Sequence, residues 1–378
     1  MNLRRTVKSL GMELQCFLRS AYPPFVTSMR PSPHGMDNVP VFMFHTVQQD
    51  VFEAQLRFLA ENGYNTITCD EYHAFLAGAS ALRGPSVMLT FDDGERSLYR
   101  VAHPLLLKYG MKAVNFIVTG RVFEDEAKRP REGKQWLTWA EVLEMHGAGT
   151  IDFQSHTLLH ETMFVSEQLV DFLRPGLFTD GLLVDRPLAR VAGRNTLLLE
   201  WGTPIYDMSP RMAGRHKFHD DEALRDACIH HVKNHGGEAF FSRQNWLDEL
   251  KSVWKQAKAN KAAGVLEDDA ARRKAILESL VLSRELLEKQ LQLPVRHLAY
   301  PWASGSALAV ELSREAGYLT NFWGPLPGRP VNKAGDDPFY SVRLKDDYVS
   351  RLPGKGRKGL AEVLLMKAGR RRKSDDIY

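Results

Sequence analysis

The sequence predicts an α/β fold, a mainly parallel sheet covered by helices and able to close into a barrel. Short apolar runs alternate with stretches of helical spacing from residue 39 onward. The helical stretches stop at glycines, and one of them starts on a capping box. Residues 86–91, SVMLTF, read as a strand buried on both faces, as strands of a parallel sheet are.

The elements follow in order. VPVFMFH is the first strand, and a helix over residues 52–62 ends before Gly63. NTIT is a second strand, with another helix from Glu71. After SVMLTF, a helix over 97–109 stops at Gly110 and KAVNFIV forms the next strand. Thr138 and Glu141 make the capping box of a helix that ends near Gly147. HLAYP and FYSVRL resume the sheet, joined by a helix over 306–316 that stops at Gly317.

Between His160 and Leu293 lie roughly 130 residues, far more than an ordinary connection holds, so an insertion is expected over about 165–292. It contains an irregular part around GTPIYDMSPRM, the helix-like EALRDACIHHVKNH, and a longer helix in which Ile276, Leu280, Leu287 and Leu291 share a face; it reads as largely helical. Residues 1–38 read as an amphipathic basic helix, with Leu3, Val7, Leu10, Leu14 and Phe17 at helical spacing beside Arg4, Arg5 and Lys8, followed by a proline-rich linker over 22–40. The main domain is placed at 39–348 and a basic tail at 349–378.

Composition narrows the function. A chain of 378 residues with 44% hydrophobic and 25% charged residues is ordinary for a globular protein with a sizeable core. A formal charge of +4 over this length does not argue for nucleic acid, although both ends are basic enough to favour an anionic membrane surface. Cys16, Cys69 and Cys228 are far apart, without a CxxC pair, which argues against a disulfide framework and a thiolate zinc site. No apolar run approaches a membrane span and the N-terminal residues lack a signal-peptide pattern, so the expected location is cytoplasmic, with peripheral contact at the inner membrane face.

Two short segments carry the chemistry. In TFDDG, Asp92 and Asp93 follow the buried strand and Gly94 permits a sharp turn. Neighbouring side chains on an extended chain point in different directions, so one carboxylate can ligate a metal while the other faces the water to be deprotonated. In SHTLLH, His156 and His160 stand four apart, which would place both imidazoles on one face of a helical turn. Each segment alone is common on protein surfaces. Together, a carboxylate and two histidines with open positions form the arrangement used where a metal must meet both water and substrate. Zn, Co, Ni or Fe suits such a ligand set.

TFDDG, SHTLLH and the later LAYPWASGS, in that order, resemble the motifs of the polysaccharide deacetylases, carbohydrate esterase family four. The resemblance spans about residues 39–345 outside the insertion. It implies a distorted (β/α) barrel, one divalent metal ion with zinc first, and hydrolysis of the acetamide of N-acetylglucosamine or a similar sugar. By position, Asp92 would be the general base, and Asp93, His156 and His160 the metal ligands. Tyr300, Pro301 and Trp302 would form another wall, with the Trp302 amide facing the oxyanion and the rings packing on the acetyl group or the sugar.

The chain also departs from the family. Ala303 stands where glycine is frequent and Ala299 where some members carry arginine, and no histidine follows His297, so the usual C-terminal Leu-x-His acid is missing. VPVFMFHTV is similar to the segment of the poly-N-acetylglucosamine deacetylases, whose motifs are circularly permuted and whose histidine comes first. His45 is therefore the expected general acid, at a strand end where barrel enzymes place catalytic side chains. Arg343, in FYSVRL, is expected to pair with Asp92 and keep it ionised. His216, His219, His230, His231 and His235 show no matching carboxylate pattern in sequence and read as surface residues, or at most as residues of a substrate cleft.

The expected function is metal-dependent removal of N-acetyl groups from an amino-sugar glycan or from a lipid-linked or nucleotide-linked sugar. The alternative is a glycan-binding or scaffold protein on the same fold, since fold alone does not prove activity.

Overall fold

The computed structural model describes residues 17–29, 37–129, 135–177, 188–191, 194–197, 200–259 and 263–372. In chain order the first strands are β1 (Val41–Phe44), β2 (Asn65–Thr66), β3 (Ser86–Asp93), β4 (Ala113–Ile117) and β5 (Ile151–Ser155). The intervening region carries β6 (Thr162–Phe172), β7 (Leu188–Val191), β8 (Arg194–Leu197), β9 (Pro204–Pro210), β10 (Phe218–Asp220) and β11 (Gly264–Leu266). The sheet resumes with β12 (His297–Ala299), β13 (Thr320–Trp323), β14 (Ser341–Val342) and β15 (Leu344–Lys345).

The main sheet has the order β14-β13-β12-β5-β4-β3-β1-β15, with every pairing parallel, and β2 adds to the start of β3. Its two ends, β14 and β15, are neighbours in the chain, separated only by Arg343. One short segment thus pairs with β13 before Arg343 and with β1 after it, and the eight strands form a nearly closed barrel. Closure leaves no long edge for another chain to pair with.

Alternation along the strands sorts side chains into two layers. Phe42, Phe44, Leu89 and Phe91 belong to the large core beneath the helices. Val41, Met88, Val114, Phe116, Ala299 and Phe322 form the other cluster, inside the barrel. Thr90 and Asp92 share a face with Met88, so the strand that fills the interior with apolar atoms also delivers Asp92 to its upper end.

The helix Asp269–Leu291, which closes the segment expected to be inserted, belongs to the barrel wall. Its Ile276, Leu280, Leu287 and Leu291 lie in the large core. Fully burying each of these side chains contributes about 1.5–3 kcal/mol. Residues 162–266 hold the antiparallel pairs β6–β9, β10–β11 and β7–β8 besides the helices Glu222–Asn234 and Trp246–Lys258.

At the N-terminal side, residues 1–16 of the expected amphipathic helix lie outside the described residues, as do 30–36. The expected linker is partly structured: Pro24–Thr27 is a helical turn whose Phe25 and Val26 are buried in the large core. Proline at the first helical position has no amide hydrogen to leave unpaired, so the local excess of proline is compatible with this turn. Arg351 donates to the carbonyls of Val26 and Ser28, and with Val349, Leu352 and Val363 also in the core, residues 349–363 stay on the barrel. Among the described residues, no helix is long and apolar enough to cross a membrane.

Candidate active site

The residues singled out in the sequence come together at the C-terminal ends of the parallel strands, the end where barrel loops build active sites. His45 is the first residue after β1, Asp92 and Asp93 end β3, and His156 follows β5 directly. The turn Pro301–Ala303 follows β12, and Arg343 lies between β14 and β15.

The backbone at these strand ends is bent into conformations that side chains rarely adopt. Asp93, Thr157, His160, Trp302 and Ala303 have φ of 72°, 69°, 53°, 58° and 52°. Asp93 thereby turns away from Asp92, and Gly94 follows at φ 86°. A Cβ on Gly94 would come within 2.7 Å of Ile117 Cγ1. Gly94→Ala should therefore lose about 1–2 kcal/mol from the left-handed backbone alone, more if Ile117 cannot yield. Urea unfolding measures the loss, and unchanged stability would mean that this turn relaxes freely.

His156 and His160 are not on a helical turn, contrary to the expectation from their spacing. With Thr157 and His160 both at positive φ, the segment is an irregular loop. The Thr157 hydroxyl accepts from the His160 amide at 3.2 Å, and the Thr157 amide donates to Ser155 Oγ at 3.2 Å. The two imidazoles still meet, with ring centroids 5.0 Å apart.

Asp93 Oδ1 lies 3.6 Å from His156 Nε2 and 3.7 Å from His160 Nε2, and all three residues are buried. His156 Nδ1 donates to the Ala299 carbonyl at 2.8 Å, which turns Nε2 towards the carboxylate. Burial pushes the His160 pKa down to about 3, Asp93 opposing and His156 and Arg121 adding to it, so this imidazole is neutral at neutral pH. Two imidazole nitrogens thus face a carboxylate at the spacing of a cluster that a divalent cation would draw together. The donor set fits such an ion.

Asp92 is held otherwise. Arg343, fully buried, donates from Nη1 to Oδ1 at 2.6 Å and from Nη2 to Oδ2 at 2.9 Å. Burial alone would raise the Asp92 pKa, but the charges of Arg343, His156 and His45 outweigh it and hold the carboxyl below its usual range. Asp92 Oδ2 is 3.8 Å from His156 Nε2, which puts this carboxylate beside the three-residue cluster. His45, half-buried, is close enough for its charge to act on Asp92.

The third wall differs from its expected form. Tyr300 is fully buried, packs edge-on against Trp323 at 4.7 Å, and its hydroxyl accepts from Asn321 at 2.7 Å. Its ring is part of the core and is not offered to a sugar, because alternation from Ala299 turns it outward beneath the helices. Pro301 is buried as well, whereas Trp302 is 36% exposed with its ring centroid 5.2 Å from that of His160. The amides of Ala303 and Ser304 donate to the carbonyls of Tyr300 and Pro301, which fixes the turn that presents Trp302.

Sequence reasoning missed two supports of this site. One is the Ala299 carbonyl that orients His156, which no side-chain pattern can announce. The other is a network around Glu161, the residue after His160, which pairs with Lys217 at 3.0 Å and Arg211 at 3.6 Å, while Arg211 also pairs with Glu267. Lys217 and Arg211 are buried and come from the intervening region, so the His160 loop is anchored to it by charge.

The sequence profile of the family described as polysaccharide deacetylase matches residues 79–174, the stretch that contains TFDDG and SHTLLH. The Bacillus subtilis protein described as "Putative polysaccharide deacetylase YxkH" is 32% identical over 130 residues, which cover 32% of this chain and 43% of that protein. The poly-β-1,6-N-acetyl-D-glucosamine N-deacetylase of Staphylococcus aureus is 29% identical over 113 residues, covering 30% of this chain and 37% of that protein. The matches thus span about two-fifths of those relatives. Among solved structures, IcaB from Ammonifex degensii superposes with a TM-score of 0.51 at 20% identity, covering 86% of this chain and 99% of that one. The BpsB deacetylase domain from Bordetella bronchiseptica gives 0.50 at 17% identity, covering 83% and 98%. At these identities the superpositions speak for the fold, and the motifs and the sequence matches speak for kinship. Residues 79–174 thus carry a polysaccharide deacetylase domain, and the order of the motifs is consistent with the poly-N-acetylglucosamine deacetylases that it resembles.

Proposed function

We propose that this protein removes the N-acetyl group from an amino-sugar glycan, or from a lipid-linked or nucleotide-linked N-acetyl sugar, by metal-dependent hydrolysis. The observation that carries the reading is the pairing of a buried, ionised Asp92 with the Asp93, His156 and His160 cluster beside it. Asp93, His156 and His160 would hold one divalent ion, zinc first among the candidates, which supplies Lewis acidity for the acetamide carbonyl and the attacking water.

The chain's own residues do the rest. Asp92 accepts the proton of the water as it attacks, and Arg343 keeps that carboxylate ionised and fixed in direction. Trp302 walls the site beside His160 and offers an apolar face for the acetyl methyl or the sugar ring. His45, on the other side of Asp92 at the end of β1, donates the proton that lets the amine leave. The products are acetate and a free amino sugar.

The test is acetate release from N-acetylglucosamine oligomers and from lipid-linked N-acetyl sugars, comparing metal-loaded protein, chelated protein and the His45→Ala variant. Chelation should abolish release and restored metal should recover it, while His45→Ala should slow it by about 10²–10⁴-fold. Release indifferent to chelation would overturn the metal dependence, and full activity in His45→Ala would remove its role as acid.

A further inference from the structure

The segment HHVKNH has no carboxylate at ligand spacing in sequence, yet the fold supplies one from another helix. His231 lies in the last turn of the helix Glu222–Asn234, and His235 is the residue that ends it. Their rings stack with centroids 4.1 Å apart and an interplanar angle of 27°. Glu249 comes from the first turn of the helix Trp246–Lys258, and its Oε1 lies 2.8 Å from His231 Nε2. His235 Nδ1 donates to the His231 carbonyl at 2.7 Å, which leaves Nε2 as the nitrogen with the lone pair. One ligand atom from each of the three residues lies within 4.8 Å of the other two.

We propose that His231, His235 and Glu249 form a second metal site, built for a borderline divalent ion of the zinc class and separate from the Asp93, His156 and His160 cluster. Two imidazoles and one carboxylate favour zinc, nickel or copper over magnesium and calcium, which prefer all-oxygen cages. Tetrahedral zinc sets its ligand atoms about 3.4 Å apart. The cluster must therefore contract, which partly exposed side chains at the ends of two helices achieve by χ rotation.

Arg243 is the competing cation. Its Nη1 lies 3.6 Å from Glu249 Oε1 and its Nη2 donates to the His235 carbonyl at 2.8 Å. Its side chain is 41% exposed and can swing into solvent, so its charge weakens the site without filling it. A bound ion would staple two helices that share an apolar cluster with Phe172, Cys228, Val232, Phe240 and Leu250 at its centre. Ligand binding to the folded state adds stability by mass action. This site is independent of whether the barrel site hydrolyses a sugar.

Zinc is counted per chain on the full-length protein, stripped with chelator and equilibrated with Zn²⁺ under excess Mg²⁺. Wild type should hold about two ions, while both the pair His235→Ala with Glu249→Gln and the variant His160→Ala should hold about one. Equal zinc in wild type and the paired variant overturns the second site. Arg243→Gln, which leaves all ligands in place, should bind the second ion more tightly. In the His160→Ala background Zn²⁺ should raise the Tm, and a Tm that zinc leaves unmoved counts against the site even if the paired variant fails to fold.

Discussion

Replacing Asp92 by Asn should lower turnover by about 10²–10⁴-fold while leaving the metal content of the barrel site intact. Asparagine keeps the volume and can still face Arg343, but it cannot accept the proton of the attacking water. The carboxylate that ligates is the neighbouring Asp93, 3.6 and 3.7 Å from the two imidazole nitrogens, so metal content and turnover should separate in this variant. Asp93→Asn should instead lose both. The measurement is zinc per chain beside single-turnover acetate release. An Asp92→Asn protein that turns over normally would show that the base is another group, and one that loses its zinc would show that Asp92 is a ligand.

Replacing Arg343 by Met should cost about 3–5 kcal/mol of stability at neutral pH, because it strands a buried carboxylate without its partner. Arg343 and Asp92 have side-chain exposures of 0% and 3%, and the guanidinium grips this carboxylate with Nη1 and Nη2 while Nε donates to the Trp323 carbonyl and Nη1 also to Thr90 Oγ1. Arg343 is also the residue between β14 and β15, so the same side chain ties the barrel closure to β3. The pH dependence has a definite sign. The Asp92 pKa is lowered in the folded state, so its ionised form contributes stability above its unfolded pKa of about 3.9, a contribution lost as pH falls through the folded value. Without Arg343 burial acts with less opposition and the Asp92 pKa rises. The destabilisation should therefore shrink on acidification, as the stranded carboxyl takes a proton, and the acid limb of kcat/KM should move to higher pH. Urea unfolding across pH checks this, and a loss that does not change with pH would sink the assignment to Asp92. Arg343→Lys should recover the charge but not the bidentate geometry, and so rescue only part of the loss.

Much of this site is written in short stretches of sequence. TFDDG puts two carboxylates and a glycine at a strand end, where the left-handed turn is a property of adjacent residues. The buried strands, the capping box at Thr138 and Glu141, and the helix stops at Gly110 and Gly317 were legible for the same reason: each signal is carried by residues within a few positions of one another. His45 could be singled out because the resembled motif order puts a histidine first, whereas Arg343 was singled out on charge alone, as a cation able to keep Asp92 ionised.

The tertiary structure decided where those pieces face. Spacing four put His156 and His160 on a helix, whereas the barrel bends that segment into a loop and fixes His156 through the Ala299 carbonyl of another strand. An aromatic after a strand end reads as a substrate wall, but sheet alternation turned Tyr300 into the core and left Trp302 at the site. The face of Ile276, Leu280, Leu287 and Leu291 was visible in the sequence, but its partner, the barrel wall, was not. Glu249 reaches His231 and His235 only because two helices pack together. Helix caps, turns and strand burial depend on a few neighbouring residues and survive in any tertiary context. Which faces meet depends on chain closure over tens to hundreds of residues, and no local pattern encodes that distance.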